Sequence, residues 1–365
     1  FCTWLGAYVE HGRKVSLGLT GATVADLAAF NPEALALINE HPELFELLCR
    51  PFSHDVALLR SPAGFAQNLR LGQRCQRRAF RQVTPFFLPA EFMLTNQQLM
   101  LLADSGVEGV FINARRFRRD LGERIPETPY RVRGLFGAEL PCVPLQGELT
   151  VAYLDALHLS EAGPWETALA RCNRPRLGVW RDGETPFLIP EGIARERRWL
   201  AAETSDVKRV FVREAFGEGD FALPTEGQLA SYPVHSFSEW VREFRMFGFI
   251  SRLQRIEAQL ERFDELQLTL WLQAINSDIL SAVEKEAPTI ELHGHTDDGV
   301  QVAPYTIARS ERGFEGEEFL TALECLLGDD EEARGRAESY LSEGLAPHLR
   351  KLRARRDYLC AILAD

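Results

Sequence analysis

Apolar positions in the first half of the chain fall in short, near-continuous runs separated by amphipathic stretches. The runs at 15–19, 44–48, 85–89 and 107–112 read as strands buried on both faces. Between them the apolar spacing changes to three and four, which predicts helices over 24–30, 32–38, 65–80 and 96–104. Thr23 is placed to cap the first helix, Pro32 to open the second, and Ser105-Gly106 to end the fourth. Gly72 lies inside the third and lowers its helix propensity. Strand and helix alternating in this order predict a parallel sheet covered by helices, the α/β class.

Residues 113–133 break the pattern and carry seven arginines, so they read as an irregular excursion over the mouth or side of the sheet. Runs at 177–180 and 209–213 are the next predicted strands. After about residue 235 the period becomes helical: 237–260, 266–286, 317–327 and 331–363, with a small hairpin within 289–309. Two domains follow from this: 1–235, a β/α barrel domain, and 236–365, a mainly helical domain packing on it. The aromatic stretch Trp240, Phe244, Phe247 and Phe249 has helical spacing and reads as core between the two. The basic stretch from Arg350 to Arg356 reads as a solvated helix face, and the acidic run at 329–332 as a helix N-terminus.

Composition narrows the function classes. A net charge of −12 argues against nucleic-acid binding through counterion release. No run of about 18 apolar residues occurs, so no transmembrane helix and no membrane partner are expected. The N-terminal stretch has no basic segment with a small-residue cleavage site. The seven cysteines are widely spaced without a C-x-x-C pair, which suits reduced thiols in a cytoplasmic protein better than disulfides or a zinc site.

In parallel β/α folds, chemistry collects at the C-terminal ends of the strands. Three groups of acids or imidazoles fall there: Ser53-His54-Asp55 after the run at 44–48, Glu91 after 85–88, and Asp182 with Glu184 after 177–180. Each alone could be a cap or a surface group. Their convergence from separate strands, with Phe87, Phe92, Trp180 and Phe187 close in sequence, suits two carboxylates acting on a sugar stacked against aromatic rings.

The segments Lys-Val-Ser-Leu-Gly-Leu-Thr-Gly (14–21), Glu-Leu-Leu-Cys-Arg-Pro-Phe-Ser-His-Asp (46–55), Phe-Phe-Leu-Pro-Ala-Glu (86–91), Asp-Gly-Glu (182–184) and Leu-Gln-Ala-Ile-Asn-Ser-Asp (272–278) resemble glycoside hydrolase family 57. The resemblance runs from about Lys14 to about Leu280 and implies an incomplete (β/α)7 barrel followed by helices. It further implies an enzyme that cleaves, transfers or branches α-glucans with retention. Glu91 would be the nucleophile and Asp182 the general acid/base. Glu184 would support that turn, His54 and Asp55 would line the sugar site with Trp180, and Trp271 and Asp278 would lie in the helical segment closing over an oligo- or polysaccharide. No metal or cofactor is implied.

The His-Gln-Pro motif expected on a first strand is absent, and only 14 residues precede what reads as the second strand. The expectation is a missing first strand or a divergent branch. Two alternatives stay open. One is a catalytically inactive glycan-binding homologue. The other is a metal-dependent polysaccharide deacetylase, for which His54-Asp55 and His293-Gly-His295 are the nearest donors; the usual His-x-x-x-His pair is missing, since positions 50 and 58 are Arg and Leu.

Overall fold

The structure is a computed structural model and describes residues 1–94, 96–113, 129–133, 139–159, 163–171, 178–181, 183, 185–188, 191–202, 208–216, 222–226, 244–276, 289–292, 305–308, 316–328, 330–343 and 347–364. Strands β1 (Val15–Leu17), β2 (Phe45–Cys49), β3 (Thr84–Phe87) and β4 (Gly109–Asn113) lie side by side, all parallel. Then β5 (Tyr130–Arg133) and β6 (Glu139–Leu145) pair antiparallel, with β6 parallel to β4. A further strand, β7 (Ala222–Glu226), extends β5, giving the order β1-β2-β3-β4-β6-β5-β7. Of the predicted strand at 177–180, the described residues 178–180 form one parallel bridge, Gly178 to Leu145, which carries the barrel past β6.

Helices cover the sheet: α1 (Cys2–Glu10), α2 (Gly21–Phe30), α3 (Pro32–Glu40), α4 (Pro62–Ala79), α5 (Asn96–Asp104), α6 (Gly147–Leu159), α7 (Gly163–Arg171), α8 (Thr185–Leu188), α9 (Gly192–Ala202) and α10 (Val212–Ala215). The C-terminal part is α11 (Phe244–Glu257), α12 (Glu265–Ala274), the antiparallel hairpin β8 (Thr289–Leu292) and β9 (Tyr305–Ala308), α13 (Gly316–Leu327), α14 (Glu331–Glu343) and α15 (Pro347–Ala364). This is the expected open β/α barrel followed by helices.

Successive strand residues point to opposite faces, and both faces are buried. Leu48, Phe86, Phe111, Val143 and Leu145 fill the barrel interior with Phe92 and Val212. Their neighbours Cys49, Phe87, Val110, Ile112 and Cys142 face outward onto Phe65, Leu69, Leu99 and Leu102 of the helices. That double burial is why the strands read as near-continuous apolar runs. The C-terminal helices join the third and largest cluster, in which Leu268, Trp271, Leu272, Leu352 and Leu359 share a core with Leu71 and Cys75 of α4. The six described cysteines are free thiols, three of them buried. No described helix is long and apolar enough to cross a membrane.

Several local expectations shift. The cap of α2 is Thr20, whose hydroxyl accepts from the Thr23 N–H at 3.2 Å. Ser61 caps α4 by accepting from Gly64, with Pro62 in the first turn. Gly72 is required there: a Cβ would sit 2.3 Å from the Arg50 carbonyl oxygen, so only glycine lets α4 pass this close to the exit of β2. The predicted strand at 209–213 is not one. The Val212 N–H goes to the buried Glu46 carboxylate and the Phe211 N–H to Glu214, which opens the short α10 instead of feeding a ladder. Within the run at 266–286, α12 ends at Ala274 and residues 277–286 lie outside the described residues, while 331–363 holds two described helices. Asp330 caps the first of those, accepting from the Glu332 and Ala333 N–H groups at 3.0 Å.

Of the aromatic stretch read as core, Phe249 is buried but Phe247 is 55% exposed, and Trp240 lies outside the described residues. The basic face on α15 is not merely solvated, because Arg355 makes two hydrogen bonds, 2.9 and 2.7 Å, to Asp26 of α2.

Candidate active site

The chain leaving β2 is held by two fully buried amides of α4. Gln76 donates to the carbonyls of Leu19 and Leu48, both at 2.9 Å, and its oxygen accepts from the Arg50 N–H. Asn68 accepts from the Ser53 N–H at 2.8 Å and donates to the Ser53 carbonyl at 3.1 Å. These side chains supply the partners that a loop leaving the sheet cannot find in a ladder. His54 and Asp55 are thereby fixed at the C-terminal end of β2.

Burial, assisted by the Arg50 guanidinium, pushes the His54 imidazole down to about 3, so this ring is neutral near pH 7. Burial pushes Asp55 the other way, to about 6, against the pull of Arg60 and a hydrogen bond from Asn68. One carboxylate oxygen of Asp55, Oδ2, is buried without a hydrogen-bond partner among the described residues.

Glu91 follows β3 in a single 3-10 turn, Ala90–Phe92. Both Glu91 (φ 53°) and Phe92 (φ 54°) occupy the left-handed region, which L-residues with side chains adopt at a cost of about 1–2 kcal/mol each. Two strained residues in succession persist only where surrounding structure fixes them, and such positions cluster at functional sites. The Leu88 N–H donates to the Cys49 carbonyl at 3.1 Å and the Arg50 guanidinium donates to the Leu88 carbonyl, so the exits of β2 and β3 are tied together. Beyond the turn, the Phe92 ring packs on Trp180, centroids 5.0 Å apart.

Trp180 follows the Gly178 bridge, and its N–H donates to the Thr150 hydroxyl at 3.2 Å. Arg181 comes next. Asp182 and Glu184 lie outside the described residues. The helical segment reaches the same end of the barrel: Ser53 donates to the Leu272 carbonyl at 2.7 Å, and Asp55 forms an antiparallel bridge with Asn276. Asp278, two residues further on, is outside the described residues.

The structure therefore brings together the Arg50–Asp55 loop, the Glu91 turn, the Trp180–Arg181 segment and the end of α12. It does not bring Trp271 to an open surface. That ring is fully enclosed, with its Nε1 donating to Glu257 at 3.3 Å, because it faces the core side of α12. Of the four aromatic residues singled out, only Phe92 and Trp180 meet here. Phe87 turns outward onto Phe65, and Phe187 stacks on Phe1 beside α1. Among the described residues no three His, Cys, Asp or Glu side chains gather as a metal site, and His293 and His295 lie outside them.

Sequence reasoning missed Glu196 of α9. It is fully buried and takes hydrogen bonds from Trp4 Nε1 (2.8 Å), the Tyr8 hydroxyl and the Arg181 guanidinium. Arg181 stood in view in Trp-Arg-Asp-Gly-Glu, but nothing local to position 196 signals its partner.

No protein-family model and no curated protein matches the chain. Solved structures do. The GH57 branching enzyme from Thermococcus kodakaraensis has a TM-score of 0.60 at 10% identity, over 99% of this chain and 89% of that one. The α-amylase AmyC from Thermotoga maritima gives 0.58 at 11%, over 100% and 91%. The 4-α-glucanotransferase from Thermococcus litoralis gives 0.58 at 14%, over 76% of this chain and 49% of that one, so the match spans about half the length of that enzyme. Identities this low make the likeness one of fold. The chain therefore has the fold seen in a GH57 branching enzyme, an open β/α barrel followed by helices.

Proposed function

We propose that this protein is an α-glucan-active glycoside hydrolase or glucanotransferase of the GH57 type, working with retention through a covalent glycosyl-enzyme. Residues 1–235 would carry the chemistry and 236–365 would cover it. The observation that carries the reading is the contact between Phe92 and Trp180. It joins the strained turn of Glu91 to the segment that enters Asp182 one residue after Arg181. Support also comes from the fold shared with a branching enzyme, an α-amylase and a 4-α-glucanotransferase.

In this mechanism ionised Glu91 attacks the anomeric carbon while protonated Asp182 gives its proton to the leaving oxygen. The leaving chain departs, and Asp182 then takes a proton from water or from an acceptor sugar hydroxyl, which attacks the glycosyl-enzyme and frees Glu91. Retention asks for the two carboxyl groups to lie about 5–5.5 Å apart. His54, held neutral, would both donate to and accept from sugar hydroxyls, with Asp55, Trp180, Glu184 and Asp278 as further sugar contacts. Water access at the intermediate divides hydrolysis from transfer. The two carboxylates suffice without a metal or organic cofactor.

Product analysis with maltooligosaccharides tests this. Wild type should shorten or redistribute the chains, and Glu91→Gln and Asp182→Asn should each lose the activity while remaining folded. Unchanged substrate with wild type would reject the α-glucan assignment.

A further inference from the structure

Three donors from separate parts of the chain converge on one carboxylate in the interior. Trp4 and Tyr8 of α1 and Arg181 of the Trp180–Arg181 segment all donate to Glu196, which has no exposed surface. The Arg181 guanidinium also lies over the Trp4 ring at 5.6 Å and the Tyr153 ring at 5.8 Å. Arg209 sits over Tyr8 at 5.8 Å and completes the charged surroundings. The Arg181–Glu196 pair is thus a largely buried ion pair, an arrangement that often does not repay its desolvation in stability alone.

Its position in the chain suggests what else it does. Arg181 is joined by one peptide bond to Asp182, which across a trans peptide separates their Cα atoms by about 3.8 Å. On the other side, Trp180 is fixed by Thr150 through its N–H and by Phe92 through its ring. Only Arg181 stands between that anchored residue and the proposed acid/base. A displacement of about 1 Å at such a group can cost roughly a hundredfold in rate.

We propose that Glu196 is a positioning residue for the reaction: by clamping Arg181 it fixes the backbone from which Asp182 projects. The inference rests on the catalytic reading above, and it assigns α1 and α9 a part in aligning the site. Trp4 and Tyr8 hold the carboxylate, the carboxylate holds Arg181, and Arg181 holds the turn.

The test compares the full-length wild type with Glu196→Gln, Glu196→Asp and Gly64→Ala, the last a destabilised control away from the clamp, following maltooligosaccharide turnover, thermal midpoint and amide hydrogen exchange over residues 178–183. Glu196→Gln should lower kcat about 10- to 100-fold with KM within about twofold, and should raise exchange over 178–183. Gly64→Ala crowds the Glu257 carboxyl group and leaves every contact of Glu196 in place. It should lower the thermal midpoint while keeping kcat within about threefold. Glu196→Asp keeps the charge with a shorter reach and should behave as Glu196→Gln does; it carries the test if the glutamine variant does not fold. Wild-type kcat and unchanged exchange in both Glu196 variants overturn the inference, as does a kcat loss in Gly64→Ala matching that in Glu196→Gln. If wild type turns over no α-glucan, the catalytic reading fails, and exchange still decides the clamp: raised in the Glu196 variants it stands, unchanged it falls.

Discussion

Arg60 and Glu257 form an ion pair of 2.7 Å with both side chains fully buried, and it bolts the barrel to the C-terminal helices. Glu257 also accepts from the Ser61 N–H at 2.8 Å and from Trp271 at 3.3 Å, so one carboxylate of α11 secures the start of α4 and the middle of α12. Removing the glutamate leaves a buried guanidinium uncompensated. Glu257→Ala should therefore lose about 3–5 kcal/mol in urea unfolding. Replacing Arg60 and Glu257 together with apolar residues should cost less than Glu257→Ala alone.

The same carboxylate explains Gly64. A Cβ there would lie 2.4 Å from the Glu257 carboxyl carbon, which cannot retreat while it holds three donors. Gly64→Ala should destabilise by about 1–3 kcal/mol despite improving helix propensity, read from the shift in denaturation midpoint.

His54 and Asp55 impose opposite pH dependences from adjacent positions. Folding moves His54 from 6.5 down to about 3, so the folded state binds fewer protons there, and the stability it contributes is present above pH 6.5 and lost as pH falls toward 3. Folding moves Asp55 from 3.8 up to about 6, so its contribution is present below about pH 4 and lost as pH rises through 6. Between pH 4 and 6, His54→Asn should make stability rise less steeply with pH than in wild type, and Asp55→Asn should make it rise more steeply. Denaturant midpoints measured across that window check both signs.

Asn68 lies in the interior yet shapes the site, because both its hydrogen bonds to Ser53 fix the loop that carries His54. Asn68→Ala leaves a buried N–H and a buried carbonyl unpaired, for a loss of about 2–4 kcal/mol. It should also weaken oligosaccharide binding, seen as a raised KM, whereas Gly64→Ala should leave KM near the wild-type value.

The parallel strands were legible because burial on both faces writes them as apolar runs, as in Phe45–Cys49 and Gly109–Asn113. The hairpin strand β6 was not. Its sequence Glu-Leu-Pro-Cys-Val-Pro-Leu holds two prolines that usually argue against a central strand. The extended run at 209–213 misled for the reverse reason: it is apolar, but its backbone N–H groups go to Glu46 and Glu214. At the site, the loop of His54, the turn of Glu91 and Trp180 could be read from their place after strands. The clamp on Arg181 could not, since its partners are 173 and 15 residues away and are specified only by packing.

The paired left-handed residues Glu91 and Phe92 bear on how this protein would respond to selection. A library screened for heat resistance alone should enrich glycine at 91, since that change relieves a backbone that a side chain opposes, and should keep Phe92, whose buried ring packs on Trp180. A library screened for turnover should keep glutamate at 91. Positions where two such screens of one library pull in opposite directions would outline the working surface of the barrel without any bound sugar, and Glu91 should head that map.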